Sequence, residues 1–186
     1  MSNNNQLGFT LSELIITLSV TLVILMLIVS IFILSQRAFR KSQTRYELIQ
    51  NTRVFTDKLS RELRQTSEIV TILPETVLDA PSEIMFKNGH NISEITYIKY
   101  YKSGTDLKRQ ELYYYFESNP ETYVQWNADD GFGGSPIEAI NEDNLIGEYI
   151  NSLSFFRSQN IINIEANFSK NGENNYMATK ISGRNL

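Results

Sequence analysis

The sequence predicts an α+β fold in which one long N-terminal α-helix, half transmembrane and half amphipathic, packs on an antiparallel β-sheet head. Three observations support this prediction. Residues 9–34 form an apolar run in which Glu13 is the only ionisable side chain. Residues 35–65 contain no glycine or proline and are rich in helix-forming residues. After residue 67 the chain becomes a series of short segments enriched in Ile, Tyr and Phe and separated by turn residues.

The apolar run is long enough to cross a membrane. A spanning helix needs about 20 apolar residues at a rise of ~1.5 Å each, and this run has 26. Its remaining polar residues are Thr and Ser, whose hydroxyls a helix can satisfy with its own carbonyls. A cleaved secretory signal would place its cleavage site after a shorter apolar core, whereas Gly8, the signal-like glycine, precedes the run.

The next segment continues the helix with an apolar stripe. Leu48, Phe55, Leu59 and Leu63 recur at spacings of seven, four and four, and Thr52 occupies the gap. This spacing puts all five residues on one face of a helix. We therefore expect a single helix from about residue 10 to about residue 66, whose second half lays this stripe on a sheet.

The β-rich part of the chain has recognisable turn chemistry between its strands. Turns are predicted at residues 87–89, 103–104, 119–120 and 170–172, and Asn171-Gly172 predicts a hairpin. The predicted strands are residues 69–73, 84–86, 95–101, 107–116, 123–126, 152–156, 161–168 and 176–181.

Composition limits the class of protein. The 186 residues allow one modest domain beyond the membrane helix. The absence of cysteine excludes thiol catalysis, disulfides and thiolate metal sites. Residues 1–66 carry 8 Lys and Arg against 4 Asp and Glu, and residues 67–186 carry 9 against 17. An acidic head above a basic stem does not predict direct binding of nucleic acid, which needs positive charge on the globular face.

Catalytic chemistry is poorly supported, and we expect that the chain is not an enzyme. His90 is the only histidine and follows Gly89 in a predicted turn, where an exposed loop histidine is the expected role. No G-x-S-x-G motif accompanies it, and no Gly-rich phosphate loop is present. The sequence therefore predicts no catalytic residue.

An acidic loop at residues 127–134 is the one candidate metal site. Asp129 and Asp130 stand among glycines there, and clustered oxygen ligands on such a loop suit calcium. Glu138, Glu142 or Asp143 would be further ligands. The loop lacks the spacing of an EF-hand, so an ordinary surface loop without any cofactor is the alternative.

Aromatic residues are abundant in the head. Alternation along a strand puts Tyr113 and Tyr115 on one face and Tyr114 on the other. Packing in the core or on a sheet face is one role for these rings, and contact with a neighbouring subunit is the other. The residues concerned are Tyr97, Tyr100, Tyr101, Tyr113, Tyr114, Tyr115, Phe155 and Phe156.

Glu13 has two interpretations. Thr10 and Glu13 form the T-x-x-E capping box, in which each side chain satisfies a backbone N–H at the start of a helix. An acid in a membrane helix costs up to roughly 2.5–3.5 kcal/mol at the bilayer centre, so it usually has a partner. Local capping and an intermolecular pair both remain open at this point.

The stretch GFTLSELIITLSVTLVILMLI, residues 8–28, resembles the N-terminal prepilin signature of the type IV pilin superfamily, which includes the pseudopilins of type II secretion and competence systems. The resemblance implies that a membrane-embedded prepilin peptidase cleaves after Gly8 and N-methylates Phe9. It also implies that Glu13, the fifth mature residue, pairs with the amine of Phe9 on a neighbouring subunit and sets the register of assembly.

This resemblance divides the chain into a leader (residues 1–8), a transmembrane and assembly helix (9–34), its amphipathic continuation (35–66) and a β-rich extracytoplasmic head (67–186). The expected partners are prepilin peptidase, other pilin or pseudopilin subunits, the inner-membrane assembly platform and membrane lipid. Basic residues follow the helix, so the positive-inside rule alone would put the head in the cytoplasm. The topology of the family puts the head outside, and we adopt that topology.

Residues 95–112 and 179–186 are also similar to the J-type minor pseudopilins and the W-type minor pilins. The resemblance therefore implies a structural minor pilin or pseudopilin, assembled into or at the tip of a type IV pilus, a type II secretion pseudopilus or a competence pseudopilus. It would be a single-pass inner-membrane protein before assembly and would lie in the filament or at the cell surface afterwards. The alternatives are a membrane-anchored binding or adhesin module that never polymerises, and a signal-anchored enzyme.

Overall fold

The computed structural model describes residues 10–90 and 94–182, and its architecture confirms the predicted α+β class. In this described part of the chain, one long helix, α1 (Leu11–Gln65), precedes a single 3₁₀ turn (Val77–Asp79) and eight strands. The strands are β1 (Glu83–Lys87), β2 (Thr96–Ser103), β3 (Asp106–Phe116), β4 (Asn119–Val124), β5 (Ile137–Gly147), β6 (Ile150–Ser158), β7 (Ile161–Lys170) and β8 (Glu173–Ser182).

Helix α1 begins and ends within one residue of its predicted limits. Its 55 residues contain no glycine or proline, so no position interrupts the backbone hydrogen bonds. The chain divides into two compact units, Met1–Gln43 and Thr44–Leu186. The second unit therefore contains the later part of α1 as well as all eight strands.

Within the second unit, α1 presents the predicted stripe to the sheets. Leu48, Thr52, Phe55, Leu59 and Leu63 are all buried, which confirms the helical spacing read from the sequence. The main hydrophobic core joins this stripe to side chains from both sheets. Its members from the strands and their flanks are Ile84, Phe86, Ile98, Tyr100, Leu107, Ile150, Leu153, Phe155, Ile162, Ile164, Ala166, Phe168 and Ile181.

The strands form two antiparallel sheets. The larger sheet has the order β1-β2-β3-β4. Strand β5 lies outside this order and also pairs with β3, from Leu107 to Tyr115. The smaller sheet has the order β6-β7-β8. A second, smaller cluster of Tyr97, Leu112 and Tyr114 lies apart from the main core, because successive residues of β2 and β3 point to opposite faces of the larger sheet.

The predicted hairpin at Asn171-Gly172 is confirmed. Asn171 has φ 52° and Gly172 has φ 80°, the pair of positive angles that a type I′ turn requires. These two residues connect β7 to β8, and the register runs from Lys170 opposite Glu173 to Ile161 opposite Ser182. Local turn chemistry therefore fixes the pairing of β7 with β8.

Two strand predictions need correction. Residues 69–73 do not form a strand. Ile69 instead makes one isolated bridge, to Phe86. The N–H groups of Val70 and Thr71 both donate to the carbonyl of Met85, so a regular ladder cannot continue. The predicted break at residues 119–120 is instead the start of β4, since proline is tolerated at the beginning of an edge strand.

Strand β5 was not predicted at all. Its sequence, IEAINEDNLIG, has no regular alternation of apolar and polar residues, and most of its side chains are exposed. It pairs along β3 at the edge of the larger sheet. An edge strand that covers little core needs no apolar face, and acidic residues there hinder pairing with another chain.

Candidate functional site

The first turn of α1 is closed by the capping box that the sequence predicts. The backbone N–H of Thr10 donates to Glu13 Oε2 over 2.9 Å, and the Thr10 hydroxyl donates to the same oxygen over 2.9 Å. In return, the N–H of Glu13 donates to Thr10 Oγ1 over 3.4 Å. The two side chains thus satisfy donors that a helix start leaves without partners. Local capping by Glu13 is confirmed.

The intermolecular role of Glu13 stays a prediction. Both bonds to its carboxylate end on Oε2, and within residues 10–90 and 94–182 no group donates to Oε1. Capping and an additional partner are therefore compatible in geometry. The predicted cleavage site at Gly8 and the predicted methylated residue Phe9 lie outside the described residues.

The helix surface after this cap is apolar on every side. The large apolar side chains between Leu11 and Leu34 are 45% to 79% exposed. The segment is long and apolar enough to cross a membrane, and none of it is buried within the chain. A surface of this size is unfavourable in water, since burial is worth ~25 cal/mol per Å² of apolar area. The helix is therefore compatible with a single membrane span.

Four of the six hydroxyl groups between residues 10 and 34 bond to helix carbonyls, as predicted, whereas those of Thr10 and Ser12 contact side chains. Ser19 and Ser30 each donate to the carbonyl four residues earlier over 2.8 Å. Thr17 and Thr21 do the same over 2.8 Å and 2.7 Å. These bonds remove the cost of bringing a hydroxyl into hydrocarbon without a partner. The segment therefore carries no unsatisfied hydroxyl at these four positions.

In the second unit, a buried polar contact connects α1 to the larger sheet. Glu62 and Arg109 side chains are each only 8% exposed, and Arg109 Nε lies 3.1 Å and 3.3 Å from the two Glu62 oxygens. The Tyr100 hydroxyl donates to Glu62 Oε2 over 2.6 Å. The guanidinium also lies 3.6 Å from Glu111 and 3.8 Å from Glu142. Every charge in this contact therefore has a partner.

The contact changes the acid–base behaviour of two of its members. Burial raises the pKa of the Tyr100 hydroxyl, and the adjacent Glu62 carboxylate raises it further. Burial alone would lower the pKa of Arg109, but the charge and hydrogen bonds of Glu62 outweigh it, so the pKa of Arg109 is raised. Arg109 therefore stays charged and the Tyr100 phenol beside it stays neutral. Sequence spacing does not predict this contact, because Glu62 and Arg109 are 47 residues apart.

The predicted alternation of the tyrosines is confirmed. Tyr114 is buried with Tyr97, and their rings meet edge to face at 5.5 Å. Tyr113 and Tyr115 lie on the other face and are half-buried, with ring centroids 6.0 Å apart. Tyr123 of β4 stacks on Tyr113 at 4.3 Å with an interplanar angle of 18°. One set of rings thus completes a small core, and the other lies at the surface.

The acidic loop is held by its own aspartates. Asp129 Oδ1 accepts the N–H of Gly131 over 2.8 Å. Asp130 Oδ1 accepts those of Phe132 and Gly134 over 2.8 Å each, and these bonds lower the pKa of Asp130, with the bond from Gly134 contributing most. The carboxylates stabilise the turn in this arrangement. Calcium binding at Asp129 and Asp130 stays a prediction.

The further calcium ligands considered from sequence belong to β5 and have other contacts. Glu138 accepts the Tyr114 hydroxyl over 2.8 Å. Asp143 lies 3.3 Å from Lys108 Nζ, and Glu142 lies near Arg109. Among the described residues, no group of three or more His, Cys, Asp and Glu side chains is arranged to hold a metal ion.

His90 is exposed in a bend, as predicted, and its backbone N–H donates to Asn88 Oδ1 over 3.0 Å. Its side chain lines an open cavity of about 380 Å³ beside Arg109 and Glu111. Asn88 Nδ2 donates to Thr96 Oγ1 over 3.1 Å, so Asn88 holds the loop in place. Within residues 10–90 and 94–182, the His90 imidazole makes no hydrogen bond that would orient it as a catalytic base.

Comparison with known proteins adds no assignment: no protein-family model matches the chain, and no curated protein matches it significantly. The type IV pilin signature at residues 8–28 therefore stays a resemblance carried by the sequence alone.

Proposed function

We propose that this chain is a minor pilin or pseudopilin, a structural and non-enzymatic subunit of the type IV pilin superfamily. Prepilin peptidase cleaves it after Gly8 and N-methylates Phe9. The subunit then assembles through its N-terminal helix into, or at the tip of, a type IV pilus, a type II secretion pseudopilus or a competence pseudopilus. Before assembly its helix spans the inner membrane and its β-rich head lies outside the cytoplasm.

The observation that carries this proposal is the position of the helix start. Helix α1 begins at Leu11, two residues after the proposed mature N-terminus at Phe9, and its first turn contains Glu13. The apolar surface that follows is exposed all round. Such a helix can exchange lipid contacts for contacts with identical or related helices without unfolding any part of the head.

Assembly in this proposal depends on a charge pair. Cleavage creates a positively charged amine on Phe9, and the Glu13 carboxylate keeps Oε1 for it while Oε2 caps the helix. In hydrocarbon the two charges stabilise each other, because neither has water as an alternative partner. The amine of one subunit beside Glu13 of its neighbour then fixes the axial register. Partner motor proteins and the inner-membrane platform drive filament growth.

Two variants separate register from capping. Glu13→Gln keeps the capping box, in which glutamine replaces glutamate well, but removes the charge. Thr10→Ala keeps the charge and removes the hydroxyl cap, at a cost of about 1 kcal/mol of helix stability. Both should insert into the membrane like the wild-type chain. The measurement is the amount of chain in sheared filaments relative to the amount in membranes.

We expect Glu13→Gln to reduce the filament fraction by roughly tenfold or more, as loss of a desolvated charge pair of ~1.4 kcal/mol or more requires. Thr10→Ala should retain most of the wild-type fraction. Equal fractions for Glu13→Gln and wild type would contradict a register role for the carboxylate. A loss in Thr10→Ala as large as in Glu13→Gln would reduce the role of Glu13 to capping.

A further inference from the structure

Two half-buried tyrosines of the larger sheet, Tyr113 and Tyr123, border a cavity that none of the preceding functions uses. The cavity has a volume of about 570 Å³ and is open to solvent. Tyr113 and Tyr123 form its aromatic side, and the carboxylate-bearing residues Glu94 and Glu121 also line it. Both glutamates are exposed residues. The cavity therefore combines aromatic faces with negative charge.

The arrangement of the rings is fixed by pairing within the sheet. Tyr113 belongs to β3 and Tyr123 to β4, and the two strands pair through Tyr114 and Val124. The rings stack at 4.3 Å, and Tyr115 stands beside Tyr113 at 6.0 Å. Because the rings are held on neighbouring strands, the cavity is formed before any ligand arrives. A ligand would lose little affinity to ordering of these side chains.

This combination of groups suits a cation attached to a flat or apolar stem. The face of a tyrosine ring attracts ammonium and guanidinium groups, and a guanidinium also stacks on aromatic rings and pairs with carboxylates. An anion or an acidic lipid surface would be repelled by Glu94 and Glu121. A neutral ligand could donate hydrogen bonds to the two carboxylates but would gain no attraction between opposite charges from them.

The chain itself contains a segment with the complementary charge. Arg37, Arg40, Lys41 and Arg45 lie within nine residues on α1, and their side chains are exposed. No acidic residue interrupts residues 37–45. Residues 67–186 carry 9 Lys and Arg against 17 Asp and Glu. Residues 37–45 are therefore a basic segment that can bind an acidic site on a second copy of the chain.

We propose that the cavity formed by Tyr113, Tyr123, Glu94 and Glu121 binds an arginine or lysine side chain from residues 37–45 of a second copy of this chain. The contact adds a head-to-stem interface between copies and is independent of the apolar helix surface. The proposal rests on the proposed function only in assuming that copies meet side by side. Its test below needs neither cleavage of the leader nor assembly, so the two can fail separately.

The test is a titration of the full chain in detergent, at a concentration where it is monomeric, with a fluorescent peptide of residues 35–47. A matched peptide carries Gln in place of the four basic residues. Three variants of the full chain are compared: Glu121→Gln removes a cavity charge, and Tyr123→Leu removes an aromatic face. Glu75→Gln makes the same change of net charge at an exposed residue that does not line the cavity.

We expect saturable binding of the basic peptide and none of the Gln peptide. Glu121→Gln and Tyr123→Leu should each weaken the binding by roughly two- to fivefold, the size of a cation–π or ion contact at a surface. Glu75→Gln should bind like wild type. Added salt should weaken binding, since the contact includes exposed charges.

Absence of saturable binding to wild type would overturn the proposal. Equal weakening by Glu75→Gln and Glu121→Gln would also overturn it, because the peptide would then respond to net charge alone. A loss of near-ultraviolet circular dichroism in Tyr123→Leu would indicate that this variant does not fold. The proposal is then tested by comparing Glu121→Gln with Glu75→Gln, because both residues are exposed and neither belongs to the core.

Discussion

At the scale of single residues, the buried contact of Glu62, Arg109 and Tyr100 connects α1 to the larger sheet. A buried ion pair gives little net stability over apolar residues of the same size, because both charges lose water. Its effect is on specificity, since any other register of the helix on the sheet would leave Glu62 buried without Arg109. The contact therefore selects one arrangement of the two elements.

Removal of one partner tests this interpretation. We expect Arg109→Met to lower the free energy of unfolding of the head by about 3–5 kcal/mol, because it leaves the Glu62 carboxylate buried without its cation. The double variant Glu62→Leu, Arg109→Met should recover most of this loss. The measurement is denaturant unfolding of the full chain in detergent, followed by near-ultraviolet circular dichroism.

Lys108→Met is the matched control, because it breaks a neighbouring ion pair, to Asp143, whose side chains are 32% and 36% exposed. Exposed pairs contribute about 0–1 kcal/mol, so this variant should stay close to wild type. A double variant as unstable as Arg109→Met alone would contradict our account of the buried contact.

At the scale of secondary-structure elements, the end of α1 is held against the loop after β1. The Thr66 hydroxyl donates to the carbonyl of Lys87 over 2.7 Å. A Cβ atom at Gly89 would collide with the backbone carbonyl of Gln65, the last residue of the helix. Glycine is therefore needed at position 89 for close approach of two backbones and not for a special dihedral angle.

This close approach gives a prediction for Gly89→Ala. We expect the variant to lose about 1–3 kcal/mol of the free energy of unfolding, because backbone must shift to admit the methyl group. Gly147→Ala is the control, since its Cβ would make an ordinary contact of 3.6 Å with Asn51 Cβ, and we expect a smaller change in stability than for Gly89→Ala. Thermal unfolding of the full chain in detergent measures both. Equal stability of the two variants would contradict the close approach.

The elements differ in how well the sequence predicts them. The limits of α1 and its buried stripe follow from a period of 3.6 residues over many turns, and the β7–β8 hairpin follows from Asn171-Gly172. Strand β5 escapes prediction because β3 supplies its hydrogen bonds and its own side chains stay exposed. Residues 69–73 have a strand-like composition, but their N–H groups converge on the carbonyl of Met85.

The candidate sites also differ in how well the sequence predicts them. The capping box and the apolar run are local in sequence, so spacing alone predicts them. The pairing of Glu62 with Arg109 and the stacking of Tyr113 on Tyr123 depend on which strands become neighbours, and pairing across a sheet leaves no local signal. For the same reason, sequence predicted two faces for the tyrosines but could not predict the cavity beside them.

At the scale of the whole molecule, three properties coexist in one chain. An exposed apolar helix segment is compatible with a single membrane span, a basic segment follows it, and the β-rich part carries net negative charge. In the proposed function these become the membrane anchor and assembly surface, the segment that contacts a neighbouring head, and the head itself. The central claim is that the chain enters this route through cleavage after Gly8.

Mass spectrometry of the N-terminal peptide tests this claim most directly. The chain is isolated from membranes of cells that contain their prepilin peptidase and of cells that lack it. We predict a mature chain that starts at N-methylated Phe9 in the first cells and an intact leader, residues 1–8, in the second. An intact leader in both would contradict the account and would leave a static membrane anchor with a binding head.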